Sequence, residues 1–175
     1  MKNIKGQVWI ETVLYTIVGL SIISIILAFM IPKINETQDK ILIDQSIAAL
    51  KVLDQKIQEV GNQAGNVGQV EFEIKKGELL IDPNKNTITL NINNLDYLYS
   101  ESGVPIKDGR VTVTSTEGQN KNSVELEITY SVDIRYNGLD GANDIKKLSA
   151  APTPYFISVE NVASGVANYI DIKGG

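Results

Sequence analysis

The sequence predicts an α+β protein. A long N-terminal α-helix, membrane-spanning and then amphipathic, packs on a C-terminal antiparallel β-sandwich-like head. Three patterns predict it. An apolar run from Val8 to Ile31 is broken by a single acid, Glu11. Apolar residues then recur with a period near 3.6 from Leu42 to Val60. Beyond Gly61 the period switches to 2, the signature of half-buried strands.

Val8–Ile31 comprises 24 residues. That is about 36 Å of helix, against a hydrocarbon core of about 30 Å. A carboxylate in such a segment costs at least about 2.5–3.5 kcal/mol, so Glu11 calls for a partner. The run is too long for the core of a secretory signal peptide, and Ala28-Phe29-Met30 supplies no small-x-small cleavage site. Lys2 and Lys5 precede the span, which places the N-terminus inside and everything after Ile31 outside. Lys33 on the far side weakens that asymmetry without reversing it. Gly19, Ser21, Ser24 and Ala28 offer small surfaces for close helix approach.

Pro32 lacks an N–H and clashes with the preceding turn, so it is expected to kink or locally melt the helix. A helical pattern resumes at once, so the helix is not expected to end there. Asn35-Glu36-Thr37-Gln38 reads as a cap for the second segment, with Asn35 as N-cap and Gln38 at the box position. The same residues form the chain's one Asn-x-Ser/Thr sequon, which makes Asn35 a candidate N-glycosylation site outside the membrane. From Leu42 to Val60, Ile43, Ile47, Leu50, Leu53 and Ile57 share one arc with both ends of the segment. Asp44, Lys51, Gln55, Gln58 and Glu59 lie opposite, and Asp54 intrudes on the apolar arc at its edge against the head. Gly61, Gly65 and Gly68 supply the residues that end the helix.

In the head, apolar residues from Val124 to Tyr136 alternate strictly with polar ones, which predicts one long antiparallel strand. Val70-Phe72-Ile74, Ile88-Leu90-Ile92, Val111-Val113 and Tyr155-Ile157-Val159 repeat the alternation, with short strands expected at Glu78–Ile81, Leu95–Tyr99 and Asn168–Ile172. Breaks at Gly77, Pro83-Asn84, Gly103, Gly118, Gly138-Gly141 and Pro152-Pro154 supply turns. Asp82-Pro83-Asn84-Lys85-Asn86 opens like a calcium loop. Thr87 and Asn93 stand where such a loop needs Gly and Glu, so a polar hairpin turn is expected. Asp140, Asn143 and Asp144 form a turn-type loop that needs no ion. No metal site and no cofactor are expected.

Composition excludes several function classes. The net charge is −5, or −7 without Lys2 and Lys5, which makes the chain a poor partner for nucleic acid. There is no cysteine and no histidine, so disulfides, thiolate chemistry and the commonest general base are all missing. An enzyme is not expected.

The N-terminal stretch resembles the class III signal peptide of archaeal type IV pilins. In that family a short basic leader ends in Lys/Arg-Gly, cleavage precedes a Gln, and a Glu stands at the fifth mature position. Here the matching residues are Lys5, Gly6, Gln7 and Glu11, followed by Thr12-Val13-Leu14. Trp9 departs from the pattern, since many relatives carry a small residue there. The resemblance covers about the first sixty residues and divides the chain into a leader at 1–6, a transmembrane and filament-core helix at 7–31, an amphipathic half at 32–60 and a head at 61–175.

What the resemblance implies is a homo-oligomeric helical filament. The Glu11 carboxylate would meet the α-amino group that cleavage creates on Gln7 of a neighbouring subunit. The implied partners are a prepilin peptidase, a pilus assembly ATPase and a platform membrane protein. The precursor would sit in the cell membrane with its N-terminus cytoplasmic and its head outside, and the assembled form would be an extracellular surface filament. Two alternatives stand beside it. One is a permanently anchored extracellular β-domain that binds a ligand or surface. The other is an archaellin-type subunit, although archaellins usually lack the acid at Glu11.

Overall fold

The computed structural model describes residues 4–141, 143–164 and 167–174, without the side chains of 4–7, 164 and 167. One helix, α1 (Ile4–Gly61), is followed by ten strands. These are β1 (Val67–Phe72), β2 (Glu78–Asp82), β3 (Thr87–Leu95), β4 (Pro105–Asp108), β5 (Val111–Thr116), β6 (Asn122–Thr129), β7 (Asp133–Tyr136), β8 (Lys146–Ser149), β9 (Tyr155–Ser164) and β10 (Ala167–Gly174). They form a four-stranded sheet in the order β1-β9-β10-β7 and a six-stranded sheet in the order β4-β5-β6-β3-β2-β8. The expected α+β class is the one observed. Pairing is antiparallel apart from the β7/β10 ladder, which is parallel.

α1 runs without interruption through Pro32, so the helix does not melt there. The expected cap at Asn35 is therefore corrected: Asn35 lies in mid-helix, where its neighbours' N–H groups already have intrahelical acceptors. The amphipathic half behaves as its periodicity requires. Ile43, Ile47, Leu50, Leu53, Ile57 and Val60 are all buried against the head. At about 1.5–3 kcal/mol each, they contribute an upper bound of roughly 9–18 kcal/mol to the helix–head seam. The seam touches β1 and β9 of one sheet and β3, β5 and β6 of the other. Its C-terminal end is closed from β9: the Asn161 side-chain amide donates to the Val60 and Gly61 carbonyls at 3.3 and 3.1 Å. The backbone of Asn161 also pairs with Gly65 and Asn66 in the loop beyond the helix.

The long strand expected from Val124 to Tyr136 is two strands in different sheets. Asn86, in a left-handed turn at φ 53°, accepts the Tyr130 N–H on its carbonyl at 2.9 Å. It accepts the Ile134 N–H on Oδ1 at 2.7 Å. These bonds replace ladder bonds at the point where the chain leaves β6 and enters β7. Alternation continues across the break because both sheets share one core.

Leu95–Tyr99 is likewise not a strand. Leu95 ends β3, and the two tyrosines after it stack edge to face at 6.3 Å. The Tyr99 hydroxyl donates to Asp44 on the helix at 3.1 Å. Burial and that carboxylate hold its pKa above the ordinary value. Ile74 is buried just outside β1. β4 and β8 were not expected. Both are short edge strands carrying Pro or Lys, a composition that guards sheet edges without an alternating signal. Asp82–Asn86 is the expected hairpin turn, with Asp82 Oδ1 accepting the Lys85 N–H at 3.2 Å. Among the described residues no acidic cluster is arranged to hold a metal ion.

Asp54 lies inside the seam, 8 % exposed. Its Oδ2 is 3.2 Å from Arg110 Nε, in the β4–β5 turn. The guanidinium stacks over the Tyr130 ring at 5.4 Å. Asp54 Oδ1 and the Tyr130 hydroxyl are both buried without a hydrogen bond of good geometry. Burial first, then the Asp54 charge and its proximity, push the Tyr130 pKa far above its usual value, against the opposing pull of Arg110.

Two predictions follow from this packing. Leu50→Ala should cost about 2–5 kcal/mol, as for other fully buried leucines. Val52→Ala on the exposed face should cost under about 0.5 kcal/mol. Denaturant titration of the detergent-solubilised chain checks the contrast. Tyr130→Phe removes a buried hydroxyl that is not satisfied, so stability at pH 7 should be unchanged within about 1 kcal/mol or should rise. The folded pKa of Tyr130 lies above the unfolded 10.0. Wild-type stability is therefore complete below that pH and declines as pH climbs beyond it. The variant should show a shallower alkaline decline, read by repeating the titration just above pH 10.

Candidate functional site

The uncovered half of α1 is the candidate site. Between Val8 and Ile31 seventeen large apolar side chains are exposed, with Trp9 at 71 % and Phe29 at 79 %. Leaving them in water forfeits on the order of 25 kcal/mol or more. A whole domain is stable by only about 5–15 kcal/mol. This half of the helix therefore needs an apolar environment that its own head does not provide. By length and composition the helix can cross a membrane, and none of its apolar window is buried within the chain.

Its polar groups are disposed for such an environment. Thr12 and Thr16 donate to the carbonyls of Val8 and Thr12 at 2.9 and 2.8 Å. Ser21 and Ser24 donate to Ile17 and Leu20, both at 2.8 Å. Each hydroxyl is satisfied four residues back along its own helix, where neither water nor a neighbour is needed. Glu11 is different. It is exposed on the helix surface and makes no ion pair among the described residues. Gly19 meets open space: a Cβ there would find nothing within 4 Å, so no contact inside the chain calls for glycine.

The remaining predicted residues fall as follows. The Gly6–Gln7 bond lies in the first turns of α1, while Met1–Asn3 and the Lys5 and Gln7 side chains are outside the described residues. Pro32 follows directly on the apolar run, inside the helix. Asn35 is exposed on the neck, and Thr37, which completes its sequon, donates to the Lys33 carbonyl at 2.8 Å. Lys33 pairs with Glu36 at 2.8 Å, and this partner raises its pKa. The first ties from neck to head come at Asp39, which is 3.5 Å from Lys76 Nζ and accepts the Asp96 N–H.

Sequence reasoning placed Asp54 near the head but missed Arg110, Tyr130 and Asn161 as its companions along the seam. Arg110 lies 56 residues beyond Asp54 and Asn161 lies 100 residues beyond Gly61, and no local pattern links them. The chain matches no protein-family model, and no curated protein or solved structure matches it.

Proposed function

We propose that this chain is the structural subunit of an archaeal type IV pilus-like surface filament, assembled through α1 after leader removal. The observation that carries the reading is the division of one helix. One face of its upper half is buried on the head, while its lower half is apolar, internally hydrogen-bonded and uncovered, and bears one carboxylate near its start. Lipid satisfies that surface before assembly, and the same surface of other copies satisfies it afterwards. Moving between two apolar media leaves packing and the charge pair to decide the balance. Cleavage between Gly6 and Gln7 would create an α-amino group for the Glu11 carboxylate of a neighbour. In a dry core that pair sets axial register, because a subunit displaced by one turn would leave both charges buried and unpaired.

In this reading the heads form the filament surface. A prepilin peptidase, an assembly ATPase and a platform protein handle the subunit. Asn35, exposed on the neck, is an acceptor for a glycan. The role is structural and not catalytic.

Cleavage is read by N-terminal sequencing of protein sheared from cells, which should begin Gln-Val-Trp-Ile-Glu or be blocked by cyclised Gln7. Recovery of filaments that retain Met1 or Lys2 would overturn the reading. Glu11→Gln should leave the membrane-bound pool intact, because an amide is cheaper to bury than a carboxylate. The same change should lower the filament fraction by about tenfold or more, since an unpaired buried charge costs several kcal/mol. Normal filament yield from the variant would refute the charge-pair mechanism while leaving the filament assignment standing.

A further inference from the structure

The head fixes where α1 can sit in a bilayer. A cleft of about 280 Å³ opens between the helix and the underside of the head, walled by Ile31, Pro32, Asn35, Glu36, Asp96 and Lys121. Two ion pairs, Lys33–Glu36 on the helix and Lys121–Asp96 on the head, therefore stand at the level where the apolar run ends. Asp39 ties this part of the head to the helix through the Asp96 N–H and Lys76, so the two move together. Charged pairs entering hydrocarbon would lose their water, so the hydrocarbon boundary lies just below them, at Ile31.

Distance then sets the opposite boundary. Glu11 lies 20 residues before Ile31 and Trp9 lies 22 before it, about 30 and 33 Å along the helix. A hydrocarbon core is about 30 Å thick. A usual tilt of about 20° still leaves Trp9 about 31 Å away. The polar groups divide at the same level. Thr12, Thr16, Ser21 and Ser24 are satisfied within the helix. Trp9, Glu11 and Tyr15 are exposed, and their side chains make no hydrogen bond among the described residues. Side chains on a helix lean toward its N-terminus, which carries the Tyr15 hydroxyl and the Glu11 carboxylate outward from the hydrocarbon. An indole N–H and a phenol O–H on apolar rings suit the headgroup boundary.

We propose that the chain is held at a fixed depth in a glycerophospholipid bilayer, with the ion pairs beside Ile31 on one headgroup layer and Trp9, Glu11 and Tyr15 as a polar collar in the other. The inference rests on the reading of α1 as a membrane span and goes beyond it by assigning the collar to phosphate and glycerol oxygens. The Trp9 indole and the Tyr15 hydroxyl donate to those oxygens, and Glu11 keeps its water. In the membrane the carboxylate thus needs no protein partner. Its drying belongs to the step that brings helices together.

Quenching by brominated lipid tests this, because Trp9 is the chain's only tryptophan. The full chain is reconstituted in phosphatidylcholine vesicles carrying bromine either high on the acyl chain, near the glycerol, or low, near its methyl end. Two reporters accompany it, Ile22→Trp and Phe29→Trp, each in a Trp9→Phe background. Ile22 lies about 14 Å below Ile31, close to the bilayer centre, and its reporter should be quenched mainly by the low label. Trp9 should respond to the high label and hardly to the low one. At fixed depth Phe29 stands about 6 Å nearer the bilayer centre than Trp9, so the high label should quench Phe29→Trp about twofold more. Equal quenching at those two positions means a helix centred on its apolar run, and overturns the fixed depth. Trp9 quenched chiefly by the low label overturns the collar. If neither label quenches Ile22→Trp, α1 is not inside the bilayer, and the membrane reading falls together with the inference.

Discussion

One uninterrupted helix has to satisfy two surroundings, and the rest of the molecule is arranged around that constraint. A helix of 58 residues is about 87 Å long. The head covers only its upper part, where burial begins at Ile43. Below Ile31 the same rod presents an apolar surface whose exposure to water would exceed the stability of the whole domain. The lower helix therefore needs an apolar surrounding that the head does not provide.

The seam is held by apolar area and positioned by polar groups. Ile43, Ile47, Leu50, Leu53, Ile57 and Val60 supply the free energy. Lys51–Asp108 is a half-exposed ion pair whose worth is about 0–1 kcal/mol, and Asp39–Lys76 is a longer pair with the lysine partly exposed. Asp54 and Asn161 do something different. Each reaches from or to the helix into the head at a buried position, so helix register cannot slip without stranding a charge or the terminal carbonyls.

Much of this was legible from residue order, and the failures have specific causes. The span, the amphipathic arc and most strands follow from hydrophobic period, which reports burial directly. Period cannot report which sheet a strand joins. Tyr130, Val132 and Ile134 alternate correctly, yet the chain changes sheets between them, where Asn86, more than forty residues earlier, takes the Tyr130 and Ile134 N–H groups. Asn35 carries every local mark of a cap, but the helix before it does not stop, so there are no free N–H groups to cap. β4 and β8 are edges, and edge strands are selected against the alternation that makes strands visible. Of the candidate site, Glu11 and the apolar run were readable, whereas the head charges Asp96 and Lys121 beside Ile31 were not, since they come from segments far along the chain.

By itself the sequence determined the two kinds of helix, the β-rich head and the solitary acid of the apolar run, because each is a property of near neighbours along the chain. Only the tertiary structure decided which residues close the seam, where the chain passes from one sheet to the other, and that Arg110 answers the buried Asp54. Those outcomes depend on hydrogen bonds and packing between residues tens of positions apart. A buried polar group takes whichever partner the assembled core places within reach, and that choice has no local signature.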